Sequence, residues 1–188
     1  MRKILLPLLS IALLSSCAED QKTSDATDPM VKNTATTTGD NKSMPAEFAD
    51  PKYTQWGKER MKFFAAGDID KWGEGLADNV VTYWSGGDSI VGKKAVIDYW
   101  KDRWAKHIES LEMSNDIWMG IKVNVPQQKQ DMPGIWSMSW NQTNVKYKNG
   151  KSLQFWIHQD YHYNAADKID RVITYMDRAP INAALGTK

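Results

Sequence analysis

Residues 134–163 read GIWSMSWNQTNVKYKNGKSLQFWIHQDYHY, and the periodicity of this stretch decides the fold. In Gly134–Tyr147, Trp136, Met138 and Trp140 fall on one side of a period-two pattern, and Ser137, Ser139 and Asn141 fall on the other. Successive side chains of a strand divide in this way. Leu153–Tyr163 alternates again. Between the two runs lies Asn149-Gly150, the dipeptide favoured where both central residues of a tight hairpin need positive φ. The stretch is therefore two long antiparallel strands joined by a turn.

Reading outward, Asn164–Asp167 is turn chemistry and Ile169–Met176 is a last strand. Upstream, Met113–Val125 is β-prone and is joined to the hairpin through a polar connection, 126–133. Val80–Trp84 and Ser89–Val91 are short strands around the turn Ser85-Gly86-Gly87-Asp88. Lys93–Ile108 is helical, since Val96, Trp100, Trp104 and Ile108 recur every four residues with Ile97 beside them. Lys52–Ala66 carries Tyr53, Trp56, Arg60, Phe63 and Phe64 at helical spacing. Gly67 ends that helix, and Asp68 can cap a short one running to Leu76. Helices followed by hairpin-linked strands indicate an α+β domain, 48–184, with helices packed on one face of an antiparallel sheet. Residues 185–188 read as a tail.

Before this domain the composition changes. Met1-Arg2-Lys3 is basic, and Ile4–Leu14 is an apolar run far shorter than the roughly 20 residues a spanning helix needs. This is an export-signal pattern. It ends Leu14-Ser15-Ser16-Cys17, which resembles the lipobox of bacterial lipoproteins: an aliphatic residue, two small ones, then cysteine. The chain's one cysteine stands where a lipobox requires it. The resemblance implies a leader of residues 1–16 and lipid on Cys17. Residues 17–47 are mostly Thr, Ser, Asp, Asn and Lys, too poor in apolar groups to fold, and read as a flexible tether with a reach of roughly 30 Å. Glu19 and Asp20 resemble the acidic signals that send some lipoproteins to the cell surface. The expected location is the cell envelope, lipid-anchored, at the outer membrane or surface. Without Arg2 and Lys3 the chain carries 22 basic and 23 acidic side chains. That balance offers no basic field to attract nucleic acid.

Candidate chemistry concentrates in the last long strand. Trp156, His158, Asp160 and His162 share one face by period two, opposite Leu153, Phe155, Ile157 and Tyr161. A carboxylate beside an imidazole can raise its basicity and make a general base. A half-exposed strand also alternates this way by default, with its polar face in water. His158 and His162 are separated by about 13 Å at roughly 3.3 Å per residue, too far to share one ion, and no third ligand is evident, so neither a metal nor a cofactor is expected. Nine tryptophans suggest a large core or an aromatic cavity. Tyr83, Trp84, Trp100, Trp104, Trp136, Trp140 and Trp156 are the candidate lining of such a cavity.

The phrases Ala66-Gly67-Asp68-Ile69-Asp70, Leu76-Ala77-Asp78-Asn79-Val80, Ile90-Val91-Gly92-Lys93-Lys94-Ala95-Val96 and Asp167-Lys168-Ile169-Asp170 before Tyr175-Met176-Asp177, in this order, resemble the nuclear transport factor 2-like superfamily and its SnoaL-like branch. The resemblance implies a cone: N-terminal helices against the concave face of a strongly bent antiparallel sheet, with an apolar cavity inside. Some members are isomerases, cyclases or dehydratases, and others are binding or dimerisation modules, so the fold leaves function open. Steroid isomerases of the superfamily carry a base aspartate near the end of the first strand; here that position is Tyr83 or Trp84, and neither is a carboxylate. The cyclases place an acid/base aspartate on the last strand, where only Asp177 is acidic, and it falls beyond the catalytic position.

These readings together describe a membrane-tethered domain that binds a small apolar or aromatic molecule. One alternative is an isomerase, cyclase or lyase using His158 with Asp160 or Asp177. The other is a module that forms a homodimer or holds a partner through its sheet face. For the anchor the expectation is direct. Cys17→Ser blocks metabolic labelling with palmitate and moves the chain from the membrane to the soluble fraction. Labelling that survives the substitution rules out the lipobox reading.

Overall fold

The computed structural model describes residues 44–187 except 127 and 129–131. The leader, Cys17 and the tether as far as residue 43 lie outside the described residues. Strand β1 (Ala46–Phe48) begins inside the stretch expected to be tether, because the carbonyl of Pro45 accepts the N–H groups of Asn124 and Val125 and holds the chain against the sheet.

Helix α1 (Lys52–Ala65) buries Tyr53, Gly57, Arg60, Met61 and Phe64 along one stripe. Gly67 turns out of it at φ +76°. Asp68 then accepts the N–H of Lys71 at 3.1 Å and starts α2 (Ile69–Gly73), which ends before the expected Leu76. Strands β2 (Leu76–Trp84) and β3 (Ser89–Val91) follow, then α3 (Lys93–Lys106), β4 (Ile108–Val123), β5 (Gly134–Tyr147), β6 (Ser152–Tyr163) and β7 (Ile169–Tyr175). A last helix, α4 (Ala179–Leu185), stands in a stretch to which the sequence reading assigned no element. Asp177 accepts its first N–H, Pro180 lies in its first turn, and Gly186 closes it at φ +71°. Its Ile181 and Ala184 bury against Ile108, Val145 and Tyr147.

The sheet has the order β1-β4-β5-β6-β7-β2-β3 and is curled but not closed. It is antiparallel except at one pair. β2 and β7 run parallel, from Val81↔Arg171 to Trp84↔Thr174, which corrects the fully antiparallel expectation. Each turn of the β4–β7 meander reverses the chain, and its fourth strand arrives beside β2 in the same direction. The concave face meets the helices in one core that includes Met61, Phe64, Trp72, Val80, Val96 and Tyr161.

A bulge shapes β4. Its register against β5 shifts between Ser114 and Ile117, with Asn115 at φ +52°. Before the shift, Leu111 and Met113 face the cone; after it, Trp118 joins the core and Ile117 and Met119 are exposed. One extra residue thus exchanges the two faces. Among the described residues no helix is long and apolar enough to cross a membrane.

The seat of Trp118 makes a testable demand on α1. A Cβ added at Gly57 would run into the Trp118 ring. Gly→Ala in a helix interior ordinarily stabilises by about 0.5–1 kcal/mol. Here overpacking dominates, and Gly57→Ala should lower the unfolding free energy by about 1–3 kcal/mol in urea titration. An unchanged or raised midpoint would show that the ring moves aside freely.

Candidate functional site

The cone encloses a cavity of about 100 Å³. Met61 and Phe64 of α1 and Trp72 of α2 form one wall. Trp84 of β2 and Tyr99 and Trp100 of α3 form another. The rings brace each other: Phe64 meets Trp100 edge-on at 4.7 Å, Tyr99 meets Trp100 at 5.1 Å, and Trp84 meets Tyr99 at 5.5 Å. The sheet supplies Val145 and Tyr147 from β5 and Phe155, Ile157 and Tyr161 from β6. Arg103 of α3, with Arg178 and Asn182 from around α4, completes the lining.

Polar groups interrupt the apolar wall. Gln159 donates from Nε2 to Thr174 Oγ1 at 3.2 Å and accepts the Tyr161 hydroxyl at 2.7 Å. Burial pushes the Tyr161 hydroxyl up to about 12, so it stays a neutral donor. Thr82 Oγ1 and Trp72 Nε1 are buried with no hydrogen-bond partner among the described residues. Behind the wall, the Arg60 guanidinium lies 5.2 Å from the Trp72 ring and 4.6 Å from the Tyr161 ring. Arg60 is 7% exposed, and its Nε and Nη1 have no hydrogen-bond partner among the described residues. Among the described residues lining the cavity there is no carboxylate and no imidazole.

The expected polar cluster lies on the opposite side of the sheet. Trp156, His158, Asp160 and His162 do share a face, but it is the outer one, since Phe155, Ile157, Gln159 and Tyr161 take the cone side. His158 Nε2 lies 3.0 Å from Asp160 Oδ1, close enough for an ion pair but off the line of a hydrogen bond. Its Nδ1 is 3.1 Å from the Ser139 carbonyl, and its ring is stacked between Trp140 at 4.5 Å and Tyr175 at 5.6 Å. His162 is held at both nitrogens, by Asp170 at 2.6 Å and the Pro133 carbonyl at 3.0 Å. Asp177 is exposed and caps α4. The expectation that His158 with Asp160 or Asp177 could act on a molecule in the cone is therefore corrected by strand parity.

The aromatic candidates divide. Trp84 and Trp100 line the cavity. Trp136, Trp140 and Trp156 face outward on β5 and β6, paired across the strands with His162, His158 and Gln142. Tyr83 also faces outward, with the Arg171 guanidinium 5.4 Å from its ring. Trp104 packs between the two parts of the core and does not reach the cavity. Phe64, Trp72, Tyr99, Arg103 and Tyr161 line or back the site and were not singled out from the sequence. Tyr161 shares parity with Phe155 and Ile157, and Tyr99 and Arg103 are four apart beside Trp100; those spacings were the available signals. No group of three metal-ligating side chains occurs among the described residues.

A curled, unclosed sheet wrapped over N-terminal helices around an apolar cavity is the cone fold of nuclear transport factor 2-like proteins. Solved structures with this fold include a Bacillus subtilis protein provisionally assigned as an isomerase, with a TM-score of 0.56 and 16% identity over 73% of this chain and 94% of that one. A Pseudomonas putida KT2440 protein provisionally assigned as a polyketide cyclase gives 0.54 and 16% over 66% and 91%. A nuclear transport factor 2-like protein of unknown function from Burkholderia pseudomallei K96243 gives 0.54 and 15% over 70% and 95%. At these identities the likeness establishes the fold. No family model matches the chain. No curated protein matches it in sequence.

The outer-face pair has a pH signature. Burial raises the Asp160 carboxyl above its ordinary 3.8, and the neighbouring His158 offsets this in part. A carboxyl raised by folding weakens the folded state as pH climbs through the folded value, and has no such effect below 3.8. Asp160→Asn should therefore be more stable than wild type at pH 7, with the gain gone at pH 3.5. Thermal melts at the two pH values check this, and a loss of stability at pH 7 would mean that the His158 contact outweighs desolvation.

Proposed function

We propose that the chain is a membrane-tethered lipoprotein whose cone binds a small apolar or aromatic molecule and does not transform it. The observation that carries this reading is the cavity of about 100 Å³, walled by aromatic rings and without a carboxylate or imidazole among its described lining residues. Acid–base catalysis needs a titratable group within hydrogen-bond reach of the substrate. A dry apolar cavity of about 150 Å³ holds a benzene molecule, so a space of about 100 Å³ takes at most a single ring, with slight movement of its walls. The lipobox-like sequence ending at Cys17 supports the tether.

The likeness to proteins provisionally assigned as an isomerase and a cyclase favours a second reading, an enzyme of the isomerase, cyclase or lyase type. With His158, Asp160 and Asp177 outside the cone, its chemistry would fall to groups such as Gln159 and Tyr161. A hydroxyl held near 12 is a poor base at neutral pH, and this places binding first.

Melting temperature tests the binding reading. At about ten times its Kd, benzene should add about 1.4 kcal/mol to stability and raise the melting temperature of the full chain by roughly 3–6 °C. Leu111→Trp, which fills the cavity from β4, should abolish the rise. A wild-type melting temperature indifferent to benzene and to larger aromatics would overturn the proposal.

A further inference from the structure

The charges around the cone are one-sided. Two guanidinium groups line it, Arg103 and Arg178, against no carboxylate among the described lining residues. Arg178 is already neutralised, because its Nη1 pairs with Asp88 Oδ1. Arg103 has no carboxylate within ion-pair distance among the described residues; its partner is the Tyr99 ring, 5.7 Å away. It is half-buried on the last turn of α3, on the side where the end of α3 and α4 close over Ile108 and Val145. Asn182 from α4 lines the same cavity and can donate beside it.

A second observation is independent of the first. Arg60 lies directly behind two of the lining rings, Trp72 and Tyr161, and is more than nine-tenths buried. Its Nε and Nη1 meet no acceptor, and no carboxylate pairs with it among the described residues. An uncompensated buried cation is costly, and aromatic faces offset only part of the cost. Thr82 Oγ1 and Trp72 Nε1 add two further unpartnered polar groups to the wall. The cone therefore combines a flat aromatic interior with one guanidinium on its wall, Arg103, and another behind it, Arg60, neither paired with a carboxylate among the described residues.

Resting on the reading of the cone as a ligand site, we infer that its ligand is a small aromatic carboxylate. The ring occupies the cavity that Phe64, Trp84 and Trp100 line, and the carboxylate meets the Arg103 guanidinium. A planar guanidinium can hold a carboxylate through two parallel N–H donors. The Arg60 charge, acting across a thin low-dielectric wall, adds to the attraction. Neutral rings of the same shape gain the packing but not this attraction.

Calorimetric titration of the full chain with benzoate and benzamide tests this, since the two are close in size and both flat, and one is neutral. Benzoate should bind at least about tenfold more tightly, a difference of about 1.4 kcal/mol. Arg103→Gln should remove the preference, bringing benzoate down to the benzamide level. The wild-type ratio needs no variant, so a misfolded R103Q does not blunt the test. Equal binding of the two probes overturns the anion inference and leaves the apolar cavity reading standing. The same holds if benzene raises the melting temperature and neither probe binds. A benzoate preference that survives R103Q overturns the assignment to Arg103. If benzene, benzoate and benzamide all fail to bind, both readings fall.

Discussion

The pairing of β5 with β6 places every other feature of the site. Trp136 stands opposite His162, Ser137 opposite Tyr161, and Trp140 opposite His158. This register turns Ser137, Ser139, Asn141 and Thr143 to the concave face, where all four are buried. Their small side chains leave room above the sheet for the rings of Tyr161 and Tyr163 and for Trp118, which stacks on Tyr161 at 12°. Ser137 and Tyr163 share a hydrogen bond in that layer. A slip of one residue would drive Trp136 and Trp140 into the cone and the serines out. The cavity exists because the strand presents its small residues inward and its tryptophans outward.

That inversion explains what the sequence could and could not disclose. The alternation of Gly134–Tyr147 and Leu153–Tyr163 is plain, and so is the turn between them. Which face is inner is not. The usual expectation sends tryptophan to the core and serine to water. Here the available depth over β5 is already claimed by helix α1 and by rings from β4 and β6, and only small side chains fit. The bulge at Asn115 is hidden for a related reason. An inserted residue changes no composition, yet it exchanges the faces of Ile117 and Trp118. α4 was readable in principle, since Pro180 and Gly186 bracket it as start and stop signals, but its apolar content is too short to show a period.

Face assignment also separated the legible part of the site from the rest. Trp84 reaches the cone because it follows Val80 and Thr82 on the buried face of β2, and Trp100 because it shares the core-facing side of α3 with Val96. The His158–Asp160 pair was correctly read as neighbours on one face, and the default for a half-exposed strand pointed to the outer one. What local pattern cannot carry is convergence. Tyr161, Phe64, Trp72 and Arg103 come from four elements and meet only because the sheet curls.

The curl also sets the electrostatics. A shallow sheet would leave Arg60 in water, where an unpaired guanidinium costs little. Wrapped between Trp72 and Tyr161, it loses most of that hydration and gains two aromatic faces and the Tyr161 hydroxyl in exchange. The fold tolerates this because hydrophobic burial elsewhere exceeds the cost. Nearby acids do not relieve it: Glu59 and Glu74 share the groove that Arg60 borders on its far side, yet neither pairs with it. A carboxylate on the cone side would be attracted through rings that exclude water, where the effective dielectric is low and charge interactions are strong. The same burial that makes the Arg60 charge costly would make it a source of selectivity for an anion over a neutral molecule of equal shape.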